Sequence, residues 1–402
     1  MKSIVLILFV IASYTTVFSQ RSDNGSVSRG KATIVSDNLF PNCKGSRPSR
    51  LGTSTSLDGK TWTVPSSTSF LTGPYLSDLY NECSNVTPAS IANVNLESFP
   101  ITIIDSSGDI INGYILSDNY CELYINGKLV GVDPVPYTPF NACIVRFKVK
   151  RPYTIAVKLV DWEENSGLGT ENNGGNPYHA GDGGFIANFS DGTRSDSTWK
   201  AQVYYISPVM SGDSVITLSN NIRYTYQSAR NIPCADSCYA VHYPIPETWM
   251  QPTFNDNDWP YAFEYTPSVV GVNWPAWTNF PTVWNNRNFI WTSNLVTDNE
   301  VLLRKTIGSI SSIDRTMDYS DISLNLNADI LEIESSKDIN DITLTMYSVL
   351  GETLASFPIP FLSSNGKTQF PMNTINDCMM VMLVLEQKGI PLQFKQCILQ
   401  KR

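Results

Sequence analysis

The sequence predicts an all-β fold of the sandwich type, and three observations predict it. Short segments in which apolar and polar residues alternate recur from Phe99 onward, turn-forming pairs separate them, and no helical period lasts long enough to compete. In order they are ITIID (101–105), INGYIL (111–116), CELYING (121–127), CIVRFKVK (143–150) and TIAVKLVDW (154–162). In the fourth, Val145, Phe147 and Val149 fall on one face and Arg146, Lys148 and Lys150 on the other, as a period of two requires. Cys121, Leu123 and Ile125 alternate up to Asn126-Gly127, a pair that supplies the positive φ angles of a tight hairpin. A second hairpin reads as Phe185 to Phe189, an Asp191-Gly192 turn, then Trp199 to Tyr205. Near the C-terminus Ile322, Leu324 and Leu326 alternate, then Ile342, Leu344 and Met346, which predicts a small second β-module.

With 402 residues the chain can hold two or three domains, each with its own core. Residues 1–19 read as a secretory signal: Lys2 is the positive end, Ile4 to Ala12 the apolar run, and Val17 and Ser19 precede cleavage before Gln20. That run is too short for a bilayer core of roughly 30 Å, and no later stretch is apolar for long enough. An exported protein, extracellular or on the outer cell surface, is therefore expected, with no transmembrane segment in the mature chain. Residues 20–98 are rich in Ser, Gly, Arg and Asn with little period, and read as an irregular segment packed on the sandwich and tied down by Cys43. The sandwich itself is assigned to 99–307, a linker to 308–319 and the second module to 320–402. Only 16% of residues are charged, the net charge is −9 and the sequence pI is about 4.8, a balance that repels phosphate backbones, so nucleic acid is excluded as a partner.

Eight cysteines suit an oxidising compartment. Cys234 with Cys238, and Cys378 with Cys397, are the pairs expected from proximity. Zinc at Cys234 and Cys238 is the rival reading, and it lacks a second close cysteine pair to complete four ligands.

Two regions hold candidate functional residues. The first is the Gly- and Asn-rich loop 161–184, a length that in a compact domain marks function or disorder. In an extended segment Asp161 and Glu163 share a face about 6 to 7 Å apart, and Glu171, His179 and Asp182 can fold back toward them. Oxygen ligands at such spacing suit Ca²⁺, so Asp161, Glu163 and Asp182 are the metal candidates, with Asp256 and Asp258 in NDNDW as a second option. The alternative is a solvated acidic loop. The second region, 244–294, is irregular and rich in Trp, Pro and Asn. Trp274, Trp277 and Trp284 with Asn279, Asn285 and Arg287 offer flat rings beside polar groups, the combination that stacks on a sugar's C–H face and bonds its hydroxyls. The alternative is that these rings plug the end of the sandwich, and Trp62, Trp162 and Trp199 are assigned to core packing. No Gly-x-Ser-x-Gly elbow occurs, and His179 and His242 both read as surface residues.

CELYINGKLVG and GGFIANFSDGTRSDSTWKA, followed by FNDNDWPYAFEY and FIWTSNLVTDNEVLLRK, resemble the galactose-binding-like, jelly-roll accessory domains of secreted glycosidases such as α-L-rhamnosidases. The last eighty or so residues, with MYSVLGE and a basic end, resemble the C-terminal sorting domain of type IX secretion cargo. They depart from it where a Tyr-Pro-Asn-Pro opening and a Gly-x-Tyr strand start are usual. The first resemblance implies a galactose-binding-like β-sandwich and a glycan or cell-surface polysaccharide as partner; the second implies an outer-membrane secretion machinery. No catalytic barrel follows the sandwich. The function expected is non-catalytic, lectin-like carbohydrate binding, with a surface adhesin that binds proteins, or a glycan-acting hydrolase, as the alternatives. Exposed tryptophans in one patch would mark the lectin, a flat apolar face the adhesin, and carboxylates converging in a cleft the enzyme.

Overall fold

The computed structural model describes residues 25–308 except 219 and 286, and 322–399 except 328–329, 349–352, 365, 372–378 and 388–389. The chain is all-β and divides into two compact units, Met1–Ile307 and Gly308–Arg402.

The first unit is a β-sandwich. One sheet runs, neighbour to neighbour, Ser26–Arg29, Tyr239–His242, Lys200–Val209, Asp298–Ile307, Tyr153–Val160, Tyr120–Ile125 and Lys128–Val132. The other runs Phe263–Tyr265, Phe289–Trp291, Gly184–Phe189, Asp109–Asp118, Ala142–Val149 and Ser77–Tyr80, with Thr102–Ile103 parallel to Ala142–Val149. Gly184–Phe189 and Lys200–Val209 thus lie in different sheets, and the segment through Asp191-Gly192 crosses between the sheets instead of closing the second predicted hairpin. The hairpin at Asn126-Gly127 forms as its turn chemistry predicts: φ is 50° and 79° at these residues, values a β-branched residue resists. Val145, Phe147 and Val149 point into the layer between the sheets, where they meet Leu123, Ile155, Val157, Phe185, Trp199, Val301 and Leu303. Arg146 emerges on the opposite face yet is itself buried, because residues 96–99 cover it: its guanidinium donates to both carboxylate oxygens of Glu97, at 3.0 and 2.9 Å, and to the Leu96 carbonyl at 2.9 Å.

Residues 20–98 are less irregular than the sequence suggests. Ser26–Arg29 and Ser77–Tyr80 extend the two sheets at their edges, and Thr33–Ser36, Leu51–Thr55 and Thr61–Val64 form a small sheet of their own. That small sheet covers the outer face of the first large sheet. Tyr204, Ile206 and Val241 face the core, so their neighbours Tyr205 and Ala240 face outward, and there they pack on Val64. This covering also corrects the surface reading of His242. The imidazole is 2% exposed, stacked between Trp62 and Tyr205 at centroid distances of 5.2 and 5.0 Å, with Nε2 2.7 Å from the Ser28 hydroxyl. The alternation of these strands is short and rich in Ser and Thr, so it carries little periodic signal.

Cys234 and Cys238 are joined, which disposes of the zinc reading, and a second disulfide links Cys43 to Cys83 across 40 residues. On a chain-entropy argument the longer loop contributes about 4 kcal/mol and the shorter about 2. Cys121 and Cys143 are unpaired and buried in the core.

In the second unit a three-stranded sheet (Ile322–Asn327, Ile330–Ser335, Lys367–Pro371) and a four-stranded sheet (Thr353–Leu362, Ile339–Ser348, Met379–Gln387, Ile390–Leu399) share a core that includes Ile322, Leu324, Leu331, Ile333, Ile342, Leu344 and Met346. The Cys378–Cys397 pairing and the signal segment lie outside the described residues. Among the described residues no helix is long and apolar enough to cross a membrane.

Candidate functional site: an acidic pocket with an aromatic wall

Strands of both sheets end around one cavity of about 400 Å³. Asp118 closes the strand Asp109–Asp118 of one sheet, and Asp161 follows directly on Tyr153–Val160 of the other. Gly181 and Asp182 come just before Gly184–Phe189, and Tyr137 to Phe140 just before Ala142–Val149. A strand's last residue is held by the ladder behind it while its side chain is released from the alternation, so these ends are rigid places for polar groups. Trp274 completes the wall. It caps the one-turn helix Pro275–Thr278, and its ring lies on Phe140 with centroids 3.7 Å apart and planes 24° apart. Both rings are half-buried.

Five carboxylates line the cavity: Glu82, Asp118, Asp161, Glu171 and Asp182. Three have strong donors. Arg47 and the Tyr137 hydroxyl both donate to Glu171, Arg230 Nη2 donates to Asp182 at 2.7 Å, and the Tyr80 hydroxyl donates to Glu82 at 3.0 Å. Asp118 accepts only from the neighbouring Asn119 amide, at 2.8 Å, and Asp161 has no side-chain hydrogen bond among the described residues although it is 5% exposed. Burial first, and then the charges of Asp182, Asp161 and Glu171, push the Asp118 carboxyl well above the usual range. Burial likewise leads for Asp161, followed by Glu171, Asp182 and Glu163. A Cβ added at Gly181 would sit 3.0 Å from Asp161 Oδ1 and 3.1 Å from Oδ2, so glycine makes the room this carboxylate occupies.

No family model and no curated protein match this chain. Among solved structures it is similar to a β-glucuronidase of Faecalibacterium prausnitzii, at 8% identity and a TM-score of 0.17, covering 93% of this chain and 46% of that one. A BSP domain of a biofilm-associated protein aligns at 11% identity and TM-score 0.16, over 95% of this chain and 68% of its own. The lectin of Pleurotus ostreatus, in its apo form, aligns at 10% and 0.16, over 73% and 72%. The chain thus spans less than half the length of the glucuronidase.

The pocket gathers Asp161, Glu171, Asp182 and Trp274 from the residues singled out in the sequence, and leaves the others elsewhere. Glu163 is 1% exposed and turns into its own loop, where it accepts from the backbone amides of Gly167, at 2.9 Å, and Gly169, and from the Tyr205 hydroxyl at 3.2 Å. The Asp161–Glu163–Asp182 set is therefore not assembled, and among the described residues no group of three or more His, Cys, Asp or Glu is placed to hold a metal ion. Asp256 binds Arg304 Nε at 2.8 Å. Trp284 is 1% exposed, and Trp277 stacks on it at 5.8 Å and 6° and meets Phe289 at 5.2 Å with the planes tilted by 41°, so both rings serve a hydrophobic cluster under the second sheet. Asn279 donates to the Pro88 carbonyl at 3.1 Å, Asn285 terminates the helix Pro281–Trp284 with φ 49°, and Arg287 is not among the pocket residues. Trp162 and Trp199 are buried, as core packing requires, while Trp62 is half-buried against His242.

Sequence reasoning missed Asp118, Tyr137, Phe140 and Arg47. A signal for Asp118 existed: the segment INGYILSDN ends its alternation on a carboxylate at a turn, the position where a sandwich strand delivers a side chain to the rim.

Proposed function

We propose that this protein binds carbohydrate without turning it over, outside the cell, in the pocket walled by Phe140 and Trp274. One observation carries the reading: a half-buried aromatic stack faces two buried carboxylates with unused acceptor oxygens across an open cavity. Its volume falls within the roughly 300 to 1,000 Å³ of ligand pockets. The rings suit the C–H face of a sugar and the carboxylates its hydroxyls. In this reading the sandwich is of the galactose-binding-like, jelly-roll type. The two disulfides support export, and the second unit serves as a sorting module for an outer-membrane secretion machinery. A chain truncated after Gly308 is then retained in the periplasm of its host, and efficient release of that chain into the medium would remove the sorting role.

The test is a glycan array on the mature protein followed by Trp274→Ala. A stacking anchor contributes about 2 kcal/mol, so the variant is expected to bind the array's ligand about thirtyfold more weakly while its melting temperature falls far less than on removal of the buried Trp284. A parent protein that binds no glycan sinks the proposal and moves attention to protein partners.

Hydrolysis is the second reading, favoured by Asp118 and Asp161 converging on one cavity from different sheets. A raised-pKa carboxyl beside a second carboxylate is the acid and base pair of glycosidases. New reducing ends that appear with the parent and vanish with Asp118→Asn would establish it.

A further inference from the structure

We infer that the pocket selects an amino sugar, its ring on the Phe140–Trp274 stack and its ammonium held by the carboxylates of Asp118 and Asp161. This rests on the carbohydrate-binding reading and names the ligand class for the same site.

Five carboxylates line the cavity, and the guanidinium groups beside them, Arg47 and Arg230, already donate to Glu171 and Asp182. Glu82 accepts from the Tyr80 hydroxyl. What is left is Asp118 with one amide donor and Asp161 with no side-chain partner among the described residues, at 4% and 5% exposure. Both residues line the cavity, where a ligand's donors can reach their oxygens. Gly181 leaves room beside this carboxylate, since a Cβ there would crowd both oxygens of Asp161.

Burial and the neighbouring charges favour the protonated form of these two groups in the empty pocket, and an arriving cation reverses that preference by favouring the ionised form, which accepts and does not donate, so the complementary group is a charged donor. An alkylammonium has three N–H donors and fits two carboxylates. A calcium ion takes six to eight oxygens, and no group of three or more metal-binding side chains is assembled among the described residues. A uronic acid would bring a further carboxylate into an already negative cavity. An N-acetylated sugar has no charge and a single N–H. The aromatic wall meanwhile demands a ring with an apolar face, which a free amine lacks.

The experiment is isothermal titration of the mature chain with three tetrasaccharides at pH 7: fully deacetylated chitosan tetrasaccharide, its fully N-acetylated form, and tetragalacturonate. The expected order is deacetylated over N-acetylated by tenfold or more, the gap shrinking in high salt, and no binding of the uronate. Asp161→Asn, nearly isosteric, should erase the tenfold preference while Trp274 still supports weak binding of both neutral and amino forms. Should that variant fail to fold, Asp118→Asn makes the same test. Equal affinity for the first two ligands, or tighter binding of the N-acetylated one, overturns the ammonium assignment and leaves the carbohydrate reading standing. Binding that requires added Ca²⁺ and disappears with chelator assigns the carboxylates to a metal instead. If the glycan array also shows no ligand, both readings fall together.

Discussion

The melting temperature of the first unit is expected to fall as the pH is raised from 5 to 8. Burial pushes the carboxyls of Asp133 and Asp298 up to about 7. Each is enclosed by neutral donors: Asp133 accepts from Ser117, Asn141 and the Val135 amide at 2.7 to 2.9 Å, and Asp298 from Thr292 at 2.6 Å. A group whose folded pKa is raised contributes stability that is complete below its unfolded value, near 4, and is lost as the pH climbs through the folded value. A shift of this size corresponds to up to roughly 4 kcal/mol for each. His242 acts in the opposite sense. Burial lowers its pKa to about 4, so its contribution of roughly 3 kcal/mol is present above the unfolded value of about 6.5 and is lost on acidification. Two carboxyls outweigh one imidazole in this window, and burial raises Asp118, Asp161 and Glu300 in the same direction. Carboxyls held low by hydrogen bonds, such as Asp191 and Glu264, exert their effect only below pH 5. Thermal melts at pH 5, 6.5 and 8 check this, with Asp298→Asn flattening the slope. A melting temperature that rises steadily from pH 5 to 8 would show that the buried carboxyls are ionised throughout.

Trp284→Ala should cost about 3 to 5 kcal/mol and lower the melting temperature by about 10 °C. The indole packs with Val270, Val272, Ala276, Phe280, Val283 and Phe289, and Trp277 lies parallel to it. Around it run three one-turn helices, Pro267–Val270, Pro275–Thr278 and Pro281–Trp284, each opened by a proline at its first position. A single turn is not stable alone, so the cluster is what orders them, and removing its largest ring leaves a cavity and loosens the segment that positions Trp274. Differential scanning calorimetry of Trp284→Ala beside Trp274→Ala separates the roles. Equal, small losses in both variants would mean that Trp284 is no more part of the core than Trp274.

Alternation and turn chemistry are local properties, and they determined the all-β class, the hairpin at Asn126-Gly127, the inward face of Val145, Phe147 and Val149, and the Cys234–Cys238 pair. Each needs only residues a few positions apart. The burial of His242 depended instead on a small sheet folded over it from residues 33–64, and the Cys43–Cys83 bridge on the approach of two segments that share no local pattern. The tryptophan-rich loop shows the division most sharply. Its composition is compatible with either a binding face or a plug, and only the packing of Trp277 and Trp284 on Phe289, with Trp274 left against Phe140, apportioned the rings between the two. The pocket itself was decided by topology, because Asp118 and Asp161 end strands of different sheets. Side chains far apart along the chain acquire a common electrostatic environment only when the two sheets close over one core, and no spacing in the sequence encodes that closure.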